Sequence, residues 1–254
     1  MYRRLTLAIL FFSINLIPIF SQDLSKAQVK QIQEFIDCVK NYKKDLVASK
    51  TIFPLEREYP IASIKDEQEF VKRYDELFDD KFTNIISKSN LTTDWSLVGW
   101  RGIMFLDGDL WLDFDGKLFS INHKSPAEIE KYNALLKKDK GQLYEALRDY
   151  VKPVLLLETN KFRIRVDDMG NDKYRYASWK ITSKMSTKPD LVIQNGEFMA
   201  DGSGGNYRYV FTNNEYTYQC YVIETGEADS PPAYIAIYRG DKEILSQEAK
   251  IITY

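Results

Sequence analysis

The chain has 254 residues, 35 of them basic and 37 acidic for a formal charge of −2, and 44% are hydrophobic and 14% aromatic. A slightly acidic balance argues against a nucleic-acid partner, which needs a basic surface to displace counterions from a phosphate backbone, and none is expected. One histidine, His123, excludes a two-histidine zinc site, and the apolar content suffices for one large domain or two small ones.

The first stretch, MYRRLTLAILFFSINLIPIFSQDLSK, sets Arg3 and Arg4 before an uncharged run over 5–20, and Ser21 and Gln22 precede the first acid, Asp23. A basic start, a short apolar stretch and a small residue at a polar boundary predict a secretory signal peptide over 1–21, cleaved near Ser21. The alternative is an uncleaved anchor, because about 16 apolar residues fall just short of a typical span. No cysteine stands at the boundary to carry a lipid. Cleavage leaves 33 bases against 37 acids, a charge of −4, and no stable membrane span, so the expected location is the periplasm or the outside of a bacterial cell. In an exported chain the two cysteines, Cys38 and Cys220, form either one bridge or two separate buried thiols.

Apolar residues at helical spacing, Ile32, Phe35, Ile36, Val39 and Leu46, predict an amphipathic helix over 27–46. FPLEREYP, with Pro54 and Pro60, breaks it, and Phe70, Tyr74, Leu77 and Phe78 line one face of a second helix, DEQEFVKRYDELFDDKF. In DWSLVGWRGIM, Trp100 and Arg101 stand beside Trp95, a composition suited to a pocket mouth where a guanidinium holds a carboxylate; the alternative is a core edge. GIMFL, DLWLD and KLFSIN have strand composition, and Asp107-Gly108 and Asp115-Gly116 predict tight type I′ hairpins between them. A calcium loop fails on register: counted from Asp107 or Asp109, the sixth position is Leu112 or Phe114 rather than glycine. The aspartates therefore read as turn residues, with an adventitious cation at Asp109 and Asp113 as the alternative. No metal site and no cofactor is expected. His123, past the third strand, reads as an exposed loop histidine.

Ser125-Pro126-x-Glu128 is a capping box with proline at the first helical position, so residues 126–152 read as a helical connector, interrupted near Gly141. From Pro153 onward, nine short strands follow, among them DLVIQ and EFMA separated by a QNGE turn, which predicts an antiparallel β-barrel or sandwich over 153–254. DGSGGNYRY is glycine-rich but leads into a strand rather than a helix, which argues against a phosphate cradle. It leaves Asn206, Tyr207 and Arg208 as the expected contacts to a partner.

The order of a helix, FPLEREYPI, the helix EFVKRYDELFD and RGIMFLDGDLWLDFDGKLFSIN resembles small secreted bacterial domains of the NTF2-like, cystatin-type α+β fold, over roughly residues 28–123. The resemblance implies an α+β domain over 22–125 in which a curved sheet wraps helices around a conical pocket. The Asp-His or Asp-Tyr pair of NTF2-like enzymes maps onto no residues here. GSGGNYRYVF is similar to the Ser-Gly-rich turn of periplasmic lysozyme inhibitors. The leading expectation is thus an exported, non-catalytic envelope protein that binds a protein or glycan through its β domain. The alternatives are an envelope hydrolase or isomerase using Arg101, aspartates such as Asp113, and His123 in the α+β pocket, and an inhibitor of a cell-wall hydrolase.

Overall fold

In the computed structural model, which describes residues 24–202, 204–227 and 229–252, the first helix, α1 (Lys26–Lys40), starts from a capping box between Ser25 and Gln28. The sequence-predicted signal peptide over 1–21 lies outside the described residues. The predicted helix over 27–46 is two helices. The Asn41 amide bonds back to Asp37, Tyr42 takes a left-handed φ of 52°, and the chain turns before α2 (Lys44–Ser49). The second predicted helix also divides: α3 (Glu67–Leu77) ends at Phe78, and the Asp79 carboxylate accepts the Phe82 amide to start α4 (Asp80–Ser87).

Four short strands, β1 (Trp95–Leu97), β2 (Ile103–Phe105), β3 (Leu110–Leu112) and β4 (Leu118–Ile121), form an antiparallel meander in that order. Period-two alternation puts Trp95, Phe105, Leu112 and Ile121 on the face that meets the helices. The space behind that face, where the resemblance implies a conical pocket, is filled by Phe35, Phe70, Tyr74, Phe78, Phe82 and Phe105, with neighbouring ring centroids 4.9–6.4 Å apart. Each fully buried phenylalanine contributes about 1.5–3 kcal/mol. The Asp-Gly pairs do lie in turns, but the turns are longer than two residues. The first takes Leu106 and Gly108 to positive φ, and in the second the Asp113 carboxylate accepts the amides of Asp115 and Lys117.

A single helix, α5 (Pro126–Gln142), leads to the C-terminal half, its first turn capped by Ser125 as expected. The eight strands that follow are β5 (Lys152–Glu158), β6 (Phe162–Gly170), β7 (Lys173–Lys180), β8 (Leu191–Ala200), β9 (Tyr207–Asn213), β10 (Tyr216–Val222), β11 (Ala233–Arg239) and β12 (Lys242–Ile251). Each pairs antiparallel with the next. β12 returns to β5 through Lys250 opposite Glu158 and Ile251 opposite Leu157, closing an up-and-down barrel. The architecture is α+β: among the described residues, five α-helices, a four-stranded antiparallel sheet and a closed eight-stranded barrel.

DLVIQ and EFMA, expected as separate strands, are one strand. Asn195, at φ 60°, and Gly196 kink β8, so that its first half pairs with β7 and its second with β9. Gly196 is required there because a Cβ would lie 2.1 Å from the Phe211 ring. Inward residues, including Leu157, Val166, Tyr176, Phe211 and Ile235, fill the interior, as eight strands allow. Cys38 lies in the helical core and Cys220 inside the barrel, both free thiols, so the two cysteines pack as small apolar residues and form no bridge. Burial pushes the Cys220 thiol up to about 12. No helix among the described residues is long and apolar enough to cross a membrane.

Only two residues of α5 are buried, and both are acids. Near its start, Glu128 pairs with Arg57, with Nε 2.7 Å from Oε1, and the same guanidinium donates to the carbonyls of Ile121 and His123. Near its end, Asp139 accepts both Nη atoms of Arg165, at 2.9 and 2.7 Å, and the Tyr150 hydroxyl at 2.6 Å. Arg165 also donates Nε to Asp167 at 2.6 Å, and Arg175 donates Nη2 to the other Asp167 oxygen at 2.7 Å. Arg165, Asp167 and Arg175 project outward from β6 and β7, where alternation alone would leave them in water. The connector covers them, with Leu147 packed against Ala177 and Trp179.

Candidate functional site

The sequence singles out Trp100 and Arg101 at a pocket mouth, and the structure places them on a 3-10 turn, Gly99–Arg101, at the edge of the small sheet. Trp100 is 77% exposed with the Arg101 guanidinium 5.9 Å from its ring, whereas Trp95 is buried and donates its indole N–H to Ser89. The pair is a surface knob whose arginine lies over its own neighbour's ring, and Trp95 belongs to the core.

His123 is not the exposed loop residue its position suggests. Its ring stacks on Phe82 at 4.0 Å, and its Nε2 lies 3.3 Å from an Asp79 oxygen whose partner oxygen caps α4. This Asp-His pair joins positions 44 apart, and no local pattern announces it. Asp113, the other residue of the enzyme reading, has one carboxylate oxygen engaged by two backbone amides of its own turn. Among the described residues, no three His, Cys, Asp or Glu side chains gather as a metal-binding group.

In the barrel, Tyr207 and Arg208 face opposite sides, as adjacent residues of a strand do, and Asn206 lies just before the strand. Asn206 staples two loops: its amide nitrogen donates to the Thr225 carbonyl at 2.9 Å, and its oxygen accepts the amides of Glu224 and Thr225 at 2.8 Å. Tyr207 turns inward at the barrel rim against Phe198 and Tyr209, and burial followed by the Glu224 charge raises its hydroxyl's pKa. Arg208 turns outward, forms an ion pair with Asp201, and holds its guanidinium 5.5 Å from the Tyr221 ring.

No family model, curated protein or solved structure matches this chain.

The outward side of the barrel therefore has to be read from its own geometry. Register sets Met199 opposite Arg208, Arg208 opposite Tyr221, Tyr221 opposite Tyr234 and Tyr234 opposite Glu248, one row across five strands. Tyr221 and Tyr234 stack at 4.3 Å with their planes 9° apart, and Tyr221 donates its hydroxyl to Gln219. Burial, followed by the neighbouring Tyr221 and Glu243, pushes the nearby Tyr238 hydroxyl up to about 12. Rigid aromatic faces beside an arginine and a methionine supply contact area at low entropic cost, the composition enriched at recognition surfaces.

The rim at the end of the barrel where β8 ends and β9 begins holds a second feature. Tyr174, Phe198, Tyr207 and Tyr209 form a chain of rings 4.8–5.9 Å apart. Beside them opens a cleft of about 370 Å³ lined by Asn171, Asp172, Lys173, Tyr174, Glu197 and Phe198.

Proposed function

We propose that this chain is an exported, non-catalytic binding protein of the bacterial cell envelope that recognises a protein or glycan through its barrel. The observation that carries the proposal is the outward row of Met199, Arg208, Tyr221 and Tyr234, a stacked tyrosine pair beside an arginine and a methionine on a closed and filled scaffold. Export rests on the signal-peptide pattern over 1–21. An inhibitor of a cell-wall hydrolase is the same reading with a particular partner. NTF2-like descent for residues 28–123 belongs to the proposal too, supported by helices followed by an antiparallel meander. The envelope-enzyme reading keeps one supporting observation, the Asp79–His123 pair, with Arg101 on the surface knob and Asp113 committed to its turn.

The test is affinity capture from envelope extract with the mature chain, Gln22 onward, alongside the variant Arg208→Ala/Tyr234→Ala. The expected result is a stoichiometric partner held by the parent chain and lost by the variant at an unchanged melting temperature. Equal capture by both chains, or none by either, overturns the proposal.

A further inference from the structure

The cleft at the barrel rim differs from the aromatic row in chemistry. Asn171 and Asp172 form the β6–β7 turn, both at φ 54°, the left-handed pair that a two-residue hairpin requires and that these two residue types tolerate. The turn carries the Asp172 carboxylate to the cleft, where no hydrogen bond or ion pair among the described residues engages it. Of the other charges, Lys173 and Glu197 neutralise each other at 3.0 Å, Lys152 is held by Glu58 at 2.8 Å, and Asp168 accepts the Gly170 amide. The aromatic walls are Tyr174 and Phe198, the latter 47% exposed. Burial, then the charges of Asp168 and Asp172, raise the Tyr174 hydroxyl's pKa, and Asp172 and Tyr174 line the same cleft.

An unpartnered carboxylate beside two aromatic rings is complementary to an organic cation, whose charge pairs with the acid while its apolar stem lies on the rings. We infer that this cleft is a receptor for a guanidinium or alkylammonium group, presented as an arginine or lysine side chain by a basic partner protein. The inference rests on the binding reading above for the existence of a partner. The cleft itself is separate from the Arg208 row, so either can fail alone.

The experiment titrates the full mature chain with Nα-acetyl-arginine amide and with its uncharged citrulline analogue, followed by calorimetry at low and high salt. The arginine probe is expected to bind saturably in the millimolar range, more weakly at high salt, and the citrulline probe at least about 5-fold more weakly. Phe198→Ala should weaken arginine binding about 2- to 30-fold and Asp172→Asn about 2- to 5-fold, while Arg208→Ala/Tyr234→Ala leaves it unchanged. Asp172 lies in a surface turn, so its variant keeps the test independent of folding. Absence of saturable arginine binding up to about 10 mM, equal binding of the two probes, or saturation by neutral chitotriose in place of arginine each overturns the inference.

Discussion

Removing Asp139 tests the ionic ladder that fixes the connector on the barrel. In the folded chain two arginines, Arg165 and Arg175, face two aspartates, Asp139 and Asp167, all buried. Asp139→Ala deletes both oxygens that hold the Arg165 fork and the acceptor of the Tyr150 hydroxyl, leaving two guanidinium groups to share Asp167. Breaking a buried pair on one side costs about 3–5 kcal/mol, because the surviving charge has lost water and gained nothing. For a chain of this size that is a fall of about 6–20 °C in melting temperature. Asp139→Leu/Arg165→Met removes one charge of each sign and leaves Asp167 and Arg175 as a balanced pair. It should therefore be more stable than the single variant, and within about 2 kcal/mol of the parent. Thermal melts followed by near-ultraviolet circular dichroism, with the Trp179 environment as reporter, provide the readout. A shift under about 3 °C in Asp139→Ala, or a double variant as unstable as the sum of its two single variants, would refute the reasoning.

Burial would push the Glu58 carboxyl up, but the ammonium groups of Lys124 and Lys152 outweigh it and hold the carboxyl below its ordinary value of 4.5. A group depressed in this way stabilises the fold above the unfolded value, and the contribution disappears as pH falls through the folded one. Melting temperature should therefore drop more steeply below that value in the parent than in Glu58→Gln, and parallel curves would count against the assignment. Gly196→Ala sets a methyl 2.1 Å from a Phe211 ring that has no room to retreat, so urea midpoints should report a loss of about 1–3 kcal/mol, partly recovered by Phe211→Leu.

What could be read from the chain depended on how local its cause was. The cap of α5 was legible because Ser125, Pro126 and Glu128 act within one turn. Most of the barrel strands were legible because alternation and turn residues mark them out one at a time. The break after α1 was not, since Tyr42 adopts a left-handed conformation that favours glycine or asparagine. The merging of DLVIQ and EFMA escaped because an asparagine and a glycine mark a bulge as readily as a turn. Closure of β12 on β5 has no local signature, since Lys250 and Glu158 meet only after the six strands between them are in place. The same holds for Asp79 with His123, and for Arg165, whose outward position in KFRIRVDD reads as solvated until a distant helix covers it. Period two already separates Tyr207 from Arg208, so that division of the proposed contact loop was available from the sequence.

The two buried acids of α5 make the connector a ruler. Glu128 and Asp139 are eleven positions apart, which at about 100° per residue is three full turns and about 20° more, a separation of about 16 Å along the axis. They share one side of the helix, and each docks on an arginine from a different half of the molecule. One inserted residue between them would swing Asp139 by about 100° and carry it away from Arg165, whatever the inserted side chain. The outer surface of this helix can thus change in composition at little cost, while its length is fixed in phase, and that length relates the α+β module to the barrel.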